Sequence, residues 1–192
     1  MQRQSTLEVL VSRGSSQRGR GKSSSGAGGF QCSCCGSWHP EMPLAFHAPA
    51  PVAWSPELEG LPDCEMGSDM CVIRGESFFI RGLIRVPIIG DDRHFEWGVW
   101  VSLSEENFLR TGDLWETEGR EDSEPMFGWL STALPTFDES TLHLKTMAHT
   151  QPVGLRPLIE VEPTQHQLAI EQRDGVTWDA LVRRVERLLH PA

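Results

Sequence analysis

Between residues 77 and 103, apolar and polar side chains alternate with a period of two, the spacing of strands that bury one face. In residues 77–87, Phe78, Ile80, Ile84 and Val86 share one face, and Phe79, Arg81, Leu83 and Arg85 the other. In residues 95–103, Phe95, Trp97, Val99, Val101 and Leu103 line one side, opposite Glu96, Gly98, Trp100 and Ser102. Asp91-Asp92 lies between the two runs and predicts a hairpin turn, and Gly82 predicts a bulge. Shorter strands are expected at residues 71–74, at 141–147, where Leu142, Leu144 and Thr146 oppose His143, Lys145 and Met147, and at 157–161.

Helical signals flank these strands. Ser104 followed by Glu105 and Glu106 caps a short helix. Thr164 with Gln167 forms a capping box for a helix ending near Gly175. Thr177 caps the clearest helix, whose apolar stripe is Trp178, Leu181, Val182, Val185, Leu188 and Leu189. Arg183, Arg184, Arg187 and His190 gather in its C-terminal half, where positive charge suits the helix dipole. Glu171 and Arg173 read as a solvated helix face. The expected fold is therefore α+β, a mainly antiparallel sheet with a few short helices and a C-terminal amphipathic helix.

The remaining segments are punctuation. Residues 12–29 contain only Ser, Gly, Arg, Lys, Gln and Ala, so they offer nothing to bury against the cost of ordering. Residues 1–29 are expected to form a disordered basic tail, and residues 30–190 a single domain. Residues 40–63 carry six prolines and predict an irregular crossing, with a short helix after Ser55. Residues 113–124 predict a solvated acidic loop, and residues 127–134 pack on the sheet in no assigned form.

Charge separates the two parts. The tail has Arg3, Arg13, Arg18, Arg20 and Lys22 against Glu8, which leaves the body with 12 basic and 26 acidic side chains. Such a body repels a phosphate backbone, so nucleic acid is an unlikely partner. No run approaches the length of a membrane span and no secretory signal is evident, so a cytoplasmic protein is expected. Tyr is absent, which excludes phenol-based chemistry.

Five cysteines in a cytosolic chain point to thiols, metal ligands or redox chemistry rather than a disulfide framework. The sharpest motif is Cys32-Ser33-Cys34-Cys35-Gly36. Thiolates three residues apart can face one ion, and Gly relaxes the turn after the second. His39, His47, Cys64 and Cys71 could complete the site. His39 follows Cys35 closely and Cys71 opens a strand, so the expected structural Zn2+ site is Cys32, Cys35, His39 and Cys71. The alternatives are free thiols or a redox pair.

A second constellation is Arg81, Trp100, His149, Arg156 and His166, which with Lys145 could line an anion-accepting cleft; each residue alone also reads as ordinary packing or surface. No phosphate-binding loop, zinc-protease helix or serine-hydrolase elbow is present. The leading expectation is a zinc-stabilised module that binds a protein or small molecule. The alternatives are an enzyme with a cleft around His149, Arg156 and His166, or a metal-free interaction protein.

Several segments together resemble a known family. They are Cys32-x-x-Cys35-Gly36, Asp69-Met-Cys71-Val-Ile, Phe79-Ile-Arg-Gly82, the run from Trp97 to Phe108, Phe127-Gly-Trp-Leu130, Leu144-Lys-Thr146 with His149, Arg156-Pro157, and the run from His166 to Gln172. The resemblance is to the bacterial family catalogued as domain of unknown function 2199, over about residues 30–190. It implies a single-domain cytosolic bacterial protein and no particular activity. It also implies that Cys32, Cys35 and Cys71 belong to the motif while Cys34 and Cys64 do not, which favours a site of three Cys and one His. The tail before Gly29 has no counterpart in the family pattern.

Overall fold

A computed structural model describes Glu8–Val9 and residues 29–191. In chain order the elements are β1 (Glu8–Val9), β2 (Phe30–Gln31), β3 (Trp38–His39), β4 (Ala45–His47), β5 (Glu65–Met66), β6 (Met70–Ile73), β7 (Ser77–Pro87), β8 (His94–Leu103), α1 (Glu105–Asp113), β9 (Met126–Leu130), β10 (Lys145–His149), β11 (Leu158–Val161), α2 (Gln167–Asp174) and α3 (Trp178–Leu189). Apart from β1 and Gly29, the expected basic tail lies outside the described residues.

The two long alternating runs pair as a hairpin, in register from Phe78 opposite Leu103 to Pro87 opposite His94. From β8 the chain continues as an antiparallel meander through β9, β10 and β11. β11 then lies beside β7 in parallel, with Leu158 opposite Leu83. The α+β expectation holds, but the main sheet is a mixed five-strand barrel rather than the mainly antiparallel sheet expected. The reason is parity: in an up-and-down meander of five strands the first and last run the same way, so closing the ring requires a parallel pair. β4 adds another parallel join, along the first half of β8.

Gly82 is where the closure happens. A Cβ there would sit 2.5 Å from Ile159 Cγ1 and 3.0 Å from the Pro157 carbonyl oxygen, so β11 crosses β7 at a position with no side chain. The register runs unbroken through Arg81, Gly82 and Leu83, so this glycine marks a close approach and not the expected bulge. Gly98 plays the same part on β8, where a Cβ would overlap the His47 ring.

The alternation assigned the faces correctly. Ile80, Ile84 and Val86 meet Phe95, Trp97, Val99 and Val101 in the barrel core, joined by Leu130, Ile159 and the helix residues Leu168, Leu181 and Val185. On the other face of the hairpin, Trp100 is fully buried in a second cluster with Ala48, Cys71 and Phe79.

Local signals fared unevenly. Ser104 and Thr177 cap α1 and α3 as expected, accepting from the Asn107 and Ala180 amides. The helix after Ser55 is a single 3-10 turn, Pro56–Leu58. α2 starts later than the capping box predicts, because the His166 ring caps it: Nδ1 accepts from the Leu168 amide at 3.1 Å. β10 begins at Lys145, since His143 has a φ of 64° and the Thr141 hydroxyl is bonded to Leu134 N and Thr132 O within a turn. The unassigned run supplies β9. Arg120, inside the acidic loop, is buried.

Glu171 is also buried, and not on the solvated face expected of it. It accepts from Arg184 Nη1 at 2.5 Å and Nη2 at 2.6 Å, and both side chains are less than a tenth exposed. This two-pronged pair pins α3 to α2. No helix among the described residues is long and apolar enough to cross a membrane.

Because removing one partner strands the other as an uncompensated buried charge, Arg184→Met is expected to cost about 3–5 kcal/mol in urea unfolding. Adding Glu171→Leu should restore more than half of that loss. A loss under about 1 kcal/mol for the single variant would show that the pair does not hold α3, since breaking such a pair normally costs several times more.

Candidate metal centre

The Cys motif forms a tight turn between two very short strands. Phe30 pairs with His39 and Gln31 with Trp38. Within the turn the Cys32 amide donates to Ser37 O at 2.9 Å and the Gly36 amide to Cys32 O at 3.0 Å. Gly36 takes a φ of 67°, a left-handed conformation that disfavours other residues. His39 is held by stacking on Phe30, with ring centroids 4.8 Å apart and planes 9° from parallel. Its Nε2 lies 3.7 Å from Cys35 Sγ.

The rest of the site comes from the far end of the chain. Glu186, buried on α3, accepts from the Ser33 amide at 2.5 Å and from the Ser33 hydroxyl at 2.9 Å. One helical turn later, His190 closes the helix on the same side as Glu186. The ligand atoms of Cys32, Cys35, His39 and His190 all lie within 4.8 Å of one another. The His39 and His190 rings meet edge to face, with centroids 6.1 Å apart. Two sulfurs and two imidazole nitrogens at this spacing could hold a metal ion.

Electrostatics prepare the thiols unequally. The His39 hydrogen bond, followed by those from Ser37, brings the Cys35 pKa down to about 6, so Cys35 is a thiolate at neutral pH. Burial pushes the Cys32 thiol up, and the neighbouring Cys35 adds to that. A soft anion therefore stands beside a thiol that still holds its proton, so metal uptake is coupled to release of that proton.

Of the four expected ligands, the structure brings Cys32, Cys35 and His39 together, with His190 as their companion. Cys71 is elsewhere, 1% exposed in the Trp100 cluster, where burial and then Cys64 push its thiol to about 12. His47 is buried on β4 over Gly98. His190 escaped sequence reasoning because its link to the turn runs through Ser33 and Glu186, 153 positions apart. No local pattern carries that contact.

The second expected constellation divides. Arg81 and Arg156 both reach the Ser68-Asp69 turn: Arg81 Nη1 donates to Ser68 O at 3.4 Å, and Arg156 Nε to Asp69 Oδ1 at 2.5 Å. Burial alone would raise the Asp69 carboxyl. The hydrogen bonds from Arg156 and Ser68 and the charges of Arg156 and Arg81 outweigh it and hold the group below its ordinary value. Trp100 lies under Arg81 but is sealed inside, donating Nε1–H to Ala48 O at 3.2 Å. His149 pairs with Glu160 across β10 and β11 at 2.8 Å. His166 is buried beside Phe137 and bonds toward the Glu139 carbonyl. Arg156 lines a cleft with Asp69, Trp115 and Arg120, whereas His166 lines a different one with Phe137 and Arg187.

Among family models, the one described as "Uncharacterized protein conserved in bacteria (DUF2199)" matches residues 31–176. The matched span includes the Cys turn and His39 and ends before α3. No curated protein and no solved structure matches the chain.

In metal-free protein, alkylation of Cys35 by iodoacetamide is expected to be half-maximal near pH 6, read by peptide mass spectrometry. His39→Ala should move that midpoint upward into the ordinary thiol range. Cys71 should stay unmodified until the protein unfolds.

Proposed function

The chain belongs to this bacterial family, domain of unknown function 2199, and within it we propose a cytoplasmic binding module whose fold is fastened by one structural zinc ion. The ligands in this reading are Cys32, Cys35, His39 and His190. The observation that carries it is the convergence of their four ligand atoms within 4.8 Å. A Cys2His2 set is a standard donor set for structural zinc, and four protein ligands leave no position for a substrate or a reactive water. Zinc at this place would lock the entry turn of the domain onto its last helix. Thiol ligands also need a reducing compartment, which supports a cytoplasmic location. The module's partner in this reading is a small molecule or a protein, taken up elsewhere on the barrel.

Purified protein should carry about one equivalent of zinc by elemental analysis, as a single four-ligand site requires, and chelation should lower Tm. His190→Ala should weaken zinc binding on the order of 100-fold or more, at least the loss seen when an outer-shell partner is removed. Cys71→Ala should leave the zinc content unchanged, whatever it costs in stability. A preparation nearly free of zinc, with every thiol open to a thiol reagent, would sink this reading.

A further inference from the structure

Two arginines meet in an open cleft of about 540 Å³, bounded by Asp69, Leu83, Trp115, Arg120, Leu155 and Arg156. Arg120 is 5% exposed. Its guanidinium is solvated by four carbonyls: Nε donates to Gln151 O at 2.8 Å, Nη1 to Trp115 O at 2.7 Å, and Nη2 to Pro152 O at 3.3 Å and Leu155 O at 2.8 Å. It also lies over the Trp115 ring, 5.4 Å from the centroid. Among the described residues no carboxylate pairs with it. The carbonyls take four of its five N–H groups, yet its full positive charge remains at the wall of the cleft without a counter-ion among the described residues.

Arg156 is arranged in the complementary way. Its Nε is fixed by Asp69, and its two Nη groups have no protein partner among the described residues. That leaves a planar fork of donors on a half-exposed side chain that lines the cleft. Leu83, Trp115 and Leu155 supply apolar wall beside it.

We propose that this cleft binds a small organic acid, its carboxylate on the Arg156 fork and its apolar body against Trp115 and Leu155. Charge and donor supply both enter the assignment. Arg120 contributes mainly attraction, since four of its five N–H donors are committed to carbonyls. Arg156 offers the free guanidinium fork of this lining, and one guanidinium edge matches the two oxygens of a carboxylate. A phosphate, with more oxygens and more charge, is matched less well by a single fork beside the Asp69 carboxylate. The cleft volume falls in the range of small-molecule sites, and its walls mix apolar surface with a few placed charged groups, Asp69, Arg120 and Arg156. In a body that is otherwise strongly acidic, a concave positive site would also concentrate anions locally. The site shares no residue with the metal centre and stands whether or not zinc is bound there.

The test is a titration of the full chain with acetate, octanoate, phenylacetate and indole-3-acetate, followed by the Trp115 indole resonance, assigned through Trp115→Phe. At least one of the acids carrying an apolar body should shift it saturably, with acetate weaker. Phenylacetamide, the uncharged counterpart of phenylacetate, and inorganic phosphate should each bind at least ten times more weakly than the best acid. Arg156→Gln should weaken the acid at least tenfold and leave the amide unchanged. Leu155→Glu, a change on an exposed side chain that places a negative charge in the wall, should abolish acid binding while the fold persists. Repeating the titration with His190→Ala should give the same affinity, which keeps this result separate from the fate of the zinc reading. The proposal is overturned if no acid in the set saturates, if the amide matches its acid, if phosphate competes at lower concentration than the acids, or if Arg156→Gln changes nothing.

Discussion

The arrangement depends on one contact, the parallel approach of β11 to β7 at Gly82. Before this point the edge of β7 belongs to β6 and the turn leading into it, with the Arg81 amide donating to Asp69 O at 2.8 Å. Two residues later the same edge belongs to β11, with the Leu83 amide donating to Pro157 O at 2.9 Å. Gly82 sits at this handover, and a side chain there would push β11 off the barrel. The residues flanking the gap are Asp69 and Arg156, which pair across it from positions 87 apart in sequence. The ion pair that orients the Arg156 fork is therefore a consequence of how the barrel closes.

β8 is divided in the same way. Its first half borders β4, where Ala48 N donates to Gly98 O, and beyond this the Ser131 amide donates to Trp100 O. Gly98 again stands near the division, leaving room for His47. Two long strands, each with its outer edge split between two neighbours, build a closed barrel and a flanking extension from one hairpin. The cluster around Trp100 lies on that extension side, which is why Trp100 and Cys71 are interior residues and take no part in a groove or a metal site.

The legible part of the sequence was whatever a period could express. Face assignment along β7 and β8, the caps Ser104 and Thr177, and the stripe of α3 all follow from neighbours within a few residues. Closure does not, because alternation reports which side of a strand is buried and not which strand comes next to it. Glu171 shows the same limit: on α2 alone it is one polar residue among several, and only Arg184, thirteen positions later, makes it a core residue. The Cys turn was read from its own spacing, as was His39. His190 was visible only as a basic residue at the end of a basic helix, since its route to the thiols passes through Glu186 and Ser33. A hairpin with strands of two residues buries too little to hold its own shape, so a turn of this kind needs a distant anchor.

The two buried arginines bring these threads together. Arg184 and Arg120 are equally shielded, each 5% exposed. Arg184 is neutralised by Glu171 in a two-pronged pair, the ordinary solution for a buried cation. Arg120 is surrounded by carbonyl dipoles instead, although it sits in an acidic loop where Glu116, Glu118, Glu121 and Asp122 are its near neighbours in sequence. All four are exposed, and the carbonyls of Trp115, Gln151, Pro152 and Leu155 take the guanidinium in their place. Dipoles can satisfy N–H groups without cancelling charge, so this solution keeps the positive field while meeting the hydrogen-bonding demand. The field remains available to the cleft that Arg120 lines with Arg156, and the difference between the two arginines is the difference between holding helices together and attracting an anion.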